Sequence, residues 1–515
     1  MPTLGQGQLV HRRESGWQTE KTERNIEGKC GSIMTHEEGH DMKSNTEHFL
    51  GKFFEPESVA IVGASNNPLR INHNLVANLV NLGFQGRIYP VHPKEKEILG
   101  LKTYPSVKHI NETVDLAVIG VSHSLTLGIL RDCVEKGIKR VTIIAGGFSE
   151  TGEEGKRVQE QMARLIKDNG IRAIGPNALS PLNVPANFCI SFHPLKPFKT
   201  GGLSLIFQSG LYEPRFTWLL SDFNYHLNKL IDCGNKMDIN EVDALTYLVQ
   251  DPQTHVIGIH LESVEGDGRE FLRVIREASA QRKHVVVLKS GRTEAGARAA
   301  TSHTGVLVQG SDLVFDAALR QCGAIRAYSL EEFFDLTRAL ERFGSLTLKG
   351  NCIFLAALPG GEGVILTDLC EYEGLRLAKV EDTTLDKLRS VFPPWDISPN
   401  PWDLGVTLQF NDQNDVYRTL IESVTEDPNV DGLAIQLHPR AFLFPKKLFE
   451  VFQRAVDAQK PIVLWFAGVE SGRHEILEWL EERRVLVFSS PEKAIHALSA
   501  LYRLSRADSK TRPNT

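Results

Sequence analysis

From Ser58 onward, short β-branched apolar runs alternate with helix-length amphipathic segments, which restricts the chain to parallel sheets covered by helices on both faces. The pattern predicts strands at Ser58 to Val62, Arg87 to Val91, Asp115 to Val121 and Arg140 to Ala145, with a last edge at Ala173 to Gly175. Helices are expected at Asn74 to Leu82 and Val158 to Asp168. A second series starts near Gly201, with strands at Leu203 to Phe207, Lys229 to Cys233, Val256 to Leu261 and His284 to Lys289. The segment Ser329 to Phe343 carries Leu330, Phe333, Phe334, Leu336 and Leu340 at helical spacing and closes this series as a packing helix. A third series comprises Cys352 to Leu358, Val430 to Leu437, Pro461 to Phe466 and Val485 to Phe488. The expectation is three successive α/β domains, at 51–190, 191–346 and 347–505. A polar extension over 1–50 and a tail over 506–515 are expected to be disordered.

The length of 515 residues suits about three domains of ordinary size. A net charge of -6 without a dominant basic run argues against a nucleic-acid partner. The longest apolar runs are too short to cross a bilayer, so no membrane partner is expected. The seven cysteines are scattered and form no CxxC pair, which reads as reduced thiols in a cytoplasmic protein without a metal site. The first 50 residues lack a signal-peptide core, and Glu14, Glu20, Glu23 and Glu27 are residues that an organelle transit peptide avoids.

Several strands run into glycine loops that precede helices, where backbone N–H groups can meet an anion. Val62-Gly63-Ala64-Ser65 is one, and it is not a GxGxxG dinucleotide fingerprint. The second strand ends in Tyr89-Pro90-Val91-His92-Pro93-Lys94, without an acid for a ribose diol, so a nicotinamide cofactor is not favoured. Lys94 is either a phosphate partner or a solvated lysine. Gly146-Gly147, Gly175-Pro176-Asn177, Gln208-Ser209-Gly210 and Gly360-Gly361 follow later strands in the same way. Thr301-Ser302-His303-Thr304-Gly305 sets one histidine among hydroxyls and a glycine, a setting that suits a ring nitrogen carrying a phosphoryl group, or an ordinary loop. Glu262, at the end of a strand, is either a surface carboxylate or an acceptor that fixes the tautomer of that ring.

These motifs, together with Gly147 to Gly155, Lys289-Ser290-Gly291-Arg292 and Asn400-Pro401-Trp402-Asp403, resemble the α subunit of NDP-forming acyl-CoA synthetases from about Phe53 to Leu504. This is the superfamily of ADP-forming acetyl-CoA synthetase and succinyl-CoA synthetase. The resemblance implies a Rossmann-like CoA-binding domain followed by two flavodoxin-like parallel-sheet domains. It implies that acid, CoA and ATP are converted reversibly to acyl-CoA, ADP and phosphate, through an acyl phosphate. His303 would carry the phosphoryl group and Glu262 would stabilise it. Gly63, Ala64, Ser65, Lys94, Pro176 and Asn177 would contact coenzyme A. Gln208, Ser209, Gly210, Ser302, Thr304, Gly305, Gly360 and Gly361 would hold phosphate. No ATP-grasp domain fits within the three α/β series, so ATP and Mg²⁺ are expected on a separate ATP-grasp β subunit. The other substrate would be a small carboxylic acid.

The chain departs from that pattern around the phosphate loops. Phe207 replaces a serine, Leu211-Tyr212-Glu213-Pro214 replaces small residues, and Ala178-Leu179-Ser180 lacks the usual Cys and Gly. His92 stands in place of Asn, and Leu358-Pro359 precedes Gly360. Two readings follow. The acid is larger than acetate, or the chain is a CoA-binding regulatory module of the same fold without full catalysis. Tyr212, Phe216 and Trp218 are candidates for lining an acyl pocket.

Overall fold

The computed structural model describes residues 48–208, 210–212, 225–304, 311–438, 446–466 and 473–511. They build three large sheets. In the first, the order is Arg87–Val91, Ser58–Val62, Leu116–Ile119, Arg140–Ile143, Arg172–Ile174, all parallel. The second runs Ile325–Ala327, His284–Lys289, Val256–Leu261, Lys199–Phe207, His226–Asp232, and ends in the antiparallel pair Leu182–Asn183 and Phe188–Cys189. The third runs Arg376–Leu377, Cys352–Ala357, Gly432–Leu437, Ile462–Phe466, Leu486–Phe488, with Trp402–Asp403 paired to Cys352–Ala357. The architecture is α/β, with two flavodoxin-like sheets following a Rossmann-like one, because near-continuous apolar strands such as Ser58–Val62 need cover on both faces.

Element ends differ from the sequence pattern where side chains cap the chain. The strand expected from Asp115 to Val121 is only Leu116–Ile119. Asp115 turns its carboxylate to the N–H of Glu57 at 2.8 Å, and Gly120 begins a loop. The helix expected from Val158 starts earlier, at Glu153, where Glu153 and Glu154 occupy the positive end of the helix dipole. The strands Leu182–Asn183 and Phe188–Cys189 join the second sheet, although they precede residue 190. The last helix, Pro491–Thr511, continues through 506–511, a stretch whose polar composition suggested disorder, because no proline interrupts it before Pro513. The remaining tail and the extension up to residue 47 lie outside the described residues. No described helix is long and apolar enough to cross a membrane.

In each sheet the strand that opens the series lies between its two neighbours. Ser58–Val62 sits between the second and third strands of its sheet, Lys199–Phe207 between His226–Asp232 and Val256–Leu261, and Cys352–Ala357 between Arg376–Leu377 and Gly432–Leu437. Connections therefore leave to opposite sides at these strands, and each opens a crevice at its carboxyl end. The residues at those crevices are Gly63–Ser65, Gln208 with Gly210, and Leu358–Gly361.

The first and second sheets meet along a backbone seam. Asn235 N donates to Pro176 O at 2.8 Å, Met237 N to Gly175 O at 3.1 Å, and Ile239 N to Ala173 O at 3.2 Å. Arg172 Nε reaches Asp238 Oδ2 at 2.9 Å. Gly234 has φ +55°, and a Cβ there would collide with Pro176 O and lie 2.7 Å from Asn177 O. Second and third sheets are tied by the buried Arg338, which pairs with Glu481 and donates from Nη2 to Val487 O at 3.1 Å. Replacing Gly234 with alanine should destabilise the protein by about 2 kcal/mol or more, since the new methyl meets the backbone of Pro176 and Asn177 and the φ is strained. Urea unfolding of Gly234→Ala measures it, and an unchanged midpoint would contradict the seam.

Candidate functional site

The first loop is shaped by glycine and clamped by an asparagine. Gly63 has φ +89°, and a Cβ on it would lie 2.6 Å from Gly120 O. Asn72 Nδ2 donates to Gly63 O at 3.0 Å and to Gly120 O at 2.6 Å, which holds the two crevice loops together. Ala64 is buried, and Ser65 Oγ accepts from Asn67 N at 3.2 Å. His92 does the work of an Asx-type turn residue, its Nδ1 accepting from Lys94 N at 3.2 Å and Glu95 N at 3.1 Å. The side chain of Lys94 is exposed beyond this turn. Pro176 follows a cis Gly175 peptide, and Asn177 sits at φ 61° with its N–H on Ala145 O at 2.9 Å.

A cavity of about 360 Å³ opens where these loops meet the second sheet. Gly120 and Ser122, Ala145 and Gly146, and Asn177 come to it from the first sheet, and Gly210 and Asp232 from the second. Asn235 ties the same region together, donating from Nδ2 to Glu150 Oε2 at 2.7 Å and to Gln159 Oε1 at 3.1 Å. Glu150 in turn accepts from Gly147 N at 2.6 Å. Asn72, Asn235 and Asp232 were not singled out by the sequence. Asn235 had a legible signal, since Asp232-Cys233-Gly234 is one more strand followed by a glycine loop.

Gln208, expected in a phosphate-binding loop, turns its side-chain amide inward. It is buried, and its Oε1 accepts from Glu262 N at 2.8 Å and Ser263 N at 3.1 Å, while Nε2 reaches Ser263 Oγ at 3.4 Å. A carboxamide reaching across from the neighbouring strand thus fixes the backbone that carries Glu262. Glu262 is buried directly after Val256–Leu261. Next to it, Lys236 is buried with Nζ 2.7 Å from Glu241 Oε2 and 2.7 Å from Ser263 O. On the same strand, His260 Nε2 lies 2.8 Å from Ser290 Oγ. Lys289 Nζ donates to Ser290 O at 3.0 Å, and burial draws its ammonium below the usual range. Arg292 pairs with Asp312 at 3.0 Å.

Phe207 agrees with the lost hydroxyl that its place implied. Its ring is buried in the core of the second sheet, 4.8 Å from Tyr212, 6.0 Å from His260 and 6.1 Å from Phe333, so it takes no place in a phosphate cradle. Tyr212 is fully buried behind the cavity wall, its hydroxyl donating to Leu179 O. Phe216, Trp218, Ser209 and Gly305 lie outside the described residues. The segment Thr301–Thr304 forms the last turn of the helix Glu294–Thr304 and not a loop. Ala295, Ala297, Ala299 and Ala300 carry that helix forward, so the N–H groups of Ser302, His303 and Thr304 belong to a helix end and not to an open anion nest. The helix lies alongside the turn Ser149–Thr151, with Cα atoms within 8 Å, which brings the histidine's element to the loops of the first sheet.

Gly360 and Gly361 start the helix Gly360–Tyr372 on the third sheet and do not line the cavity. A Cβ on Gly360 would strike the carboxylate of Asp403, whose Oδ1 caps the next helix through Gly405 N at 2.8 Å. An anion at this helix start meets a fixed negative charge as well as the dipole.

Three family models match the chain: a CoA binding domain at residues 57–181, a succinyl-CoA ligase-like flavodoxin domain at 200–340 and a ligase-CoA domain at 353–512. The α subunit of acetate–CoA ligase [ADP-forming] I from Pyrococcus furiosus is 37% identical over 473 residues, which are 90% of this chain and 99% of that one. Acetate–CoA ligase [ADP-forming] II from Archaeoglobus fulgidus is 38% identical over 387 residues, 75% of this chain but 56% of the longer relative. The dinucleotide-forming acetyl-coenzyme A synthetase 1 of Ca. Korarchaeum cryptofilum, solved with phosphate and ADP, superposes with a TM-score of 0.79 at 32% identity, covering 89% of this chain and 97% of that one. The chain belongs to the family of NDP-forming acyl-CoA synthetases and corresponds to their α subunit.

Burial, and then the charge of Lys236, pull the pKa of His260 down to about 4 from 6.5. A histidine depressed in the folded state keeps its full contribution above the unfolded value and loses it as pH falls toward the folded one. The native state should therefore lose about 3 kcal/mol between pH 7 and pH 4 on this account. Urea titrations at the two pH values should show that loss reduced in His260→Asn.

Proposed function

We propose that this chain is the α subunit of an NDP-forming acyl-CoA synthetase, joining a carboxylic acid to coenzyme A with ATP through an acyl phosphate and a phosphoryl group carried on His303. The observation that carries this reading is the convergence of loops from two sheets on one cavity, with the helix that bears His303 lying against the turn Ser149–Thr151 of the first sheet. Gly63, Ala64 and Ser65 bring backbone and hydroxyl to the CoA phosphates, and Lys94 adds charge from the neighbouring strand end. The fit is supported by the close approach of Gly63 and Gly120, which a side chain would fill. Pro176 and Asn177 guide the thiol end toward the cavity.

In the synthetic direction the phosphoryl group passes from ATP to the imidazole of His303 and from there to the acid's carboxylate. CoA sulfur then attacks the acyl phosphate and phosphate leaves. Splitting the transfer into two in-line steps keeps the acyl phosphate from water. Glu262 stabilises the imidazole, and Gln208 positions Glu262 through its backbone. The loop Gln208, Ser209 and Gly210, with Ser302, Thr304 and Gly305, offers hydroxyl and N–H groups to the migrating phosphate. ATP and Mg²⁺ reach the site on a partner subunit of the ATP-grasp type. Support comes from relatives named as α subunits and from the greater length of single-chain relatives. The place of action would be the cytoplasm.

Incubation with labelled ATP and the partner subunit should place an acid-labile, base-stable label on the chain. His303→Ala should abolish it, and a label that persists there would refute the assignment. CoA binding without any label in the wild type would mark a CoA-binding regulatory module. Gln208→Ala should lower kcat by about tenfold or more while leaving the KM for CoA nearly unchanged, because it displaces Glu262 and touches no CoA loop.

A further inference from the structure

One ionisable side chain lines the cavity among the described residues and has no part in the phosphoryl transfer above: Asp232, the last residue of the strand His226–Asp232. It is 1% exposed. Its Oδ2 accepts from Leu179 N at 3.0 Å and its Oδ1 from Gly234 N at 3.0 Å, so the seam between the sheets holds the carboxyl in one orientation. Each oxygen keeps a further lone pair. Ile144, Ala145, Leu179 and Phe192 give the same cavity its apolar surface. Tyr212 backs Leu179, so the wall beside the carboxyl is packed from behind.

A buried carboxyl restricts what can lie against it. The reacting carboxylate of the acid is repelled by an ionised neighbour, so it is placed away from Asp232 and the acyl chain lies toward it. An all-carbon chain would leave the remaining lone pairs without water or partner. Burial moves the pKa of Asp232 up to about 7, against the two N–H groups that lower it. An ammonium would fit only the ionised form and a second carboxylate only the protonated one. A hydroxyl fits both, donating to the carboxylate or accepting from the acid.

We infer that Asp232 selects the acid, and that the substrate class is a carboxylic acid bearing a hydroxyl on its acyl chain. This rests on the acyl-CoA synthetase reading above. The test is binding to the full chain alone, by calorimetry, so that catalysis and the partner subunit are not required. The probes are free CoA and pairs of four-carbon acyl-CoAs that differ only by one hydroxyl at carbon 2, 3 or 4. The wild type should bind one hydroxyacyl-CoA at least about tenfold more tightly than its plain counterpart. Asp232→Ala should erase that preference. Asp232→Asn, which keeps one acceptor oxygen and adds an N–H donor, should retain part of it. Equal affinities for both members of every pair in the wild type, or a full preference in Asp232→Ala, overturn the inference while leaving the acyl-CoA synthetase reading intact. Failure of CoA and of every acyl-CoA to bind the wild type would remove both.

Discussion

Everything at the site depends on the seam where the loop Asp232 to Asn235 lies against Gly175 to Leu179. Backbone meets backbone there, with no room for a Cβ at Gly234. The seam fixes the angle between the first two sheets, and the crevice of each sheet then opens into one shared cavity. It also orients Asp232 and, through Asn235, the loop around Glu150. Contacts made by main-chain groups cannot be adjusted by rotamer changes, so this geometry is stiffer than a side-chain interface would be.

The three sheets solve the same problem in the same way. Each opens with the strand that becomes the switch point, so its glycine loop falls at a crevice. Their electrostatics differ. In the first, Asn72 ties Gly63 to Gly120 through their carbonyls, while the Gly63 N–H donates to Val91 O. In the second, Gln208 turns inward to hold Glu262. In the third, Asp403 presses on Gly360 and adds a negative charge to the helix start. Similar loops in sequence thus give a loop clamped through its carbonyls, a positioning loop and a loop that faces a carboxylate.

Much of the site was legible in the residues. The glycines at 63 and 360 announced strand-to-helix turns, and Glu262 stands at a strand end as its position after Val256 to Leu261 implied. What failed to read was direction. Phe207 looked like a lost hydroxyl in a phosphate loop, yet its ring points into the core against Tyr212 and Phe333. The segment around His303 looked like a loop, but the alanines before it extend a helix through Thr304. One position along a strand reverses the face, so a motif's letters alone do not say which side chains meet the ligand.

By itself the sequence determined the strand and helix alternation, the parallel sheets and the loops that carry glycine, because these follow from local periodicity and from residues that only certain backbones accept, while the order of its motifs carried the family resemblance. Tertiary structure alone decided which loops share a cavity, that Gln208 supports Glu262 and that Asp232 faces the same space as Asn177. Those pairings join residues more than fifty positions apart. They depend on how one sheet docks on another, which no local pattern encodes.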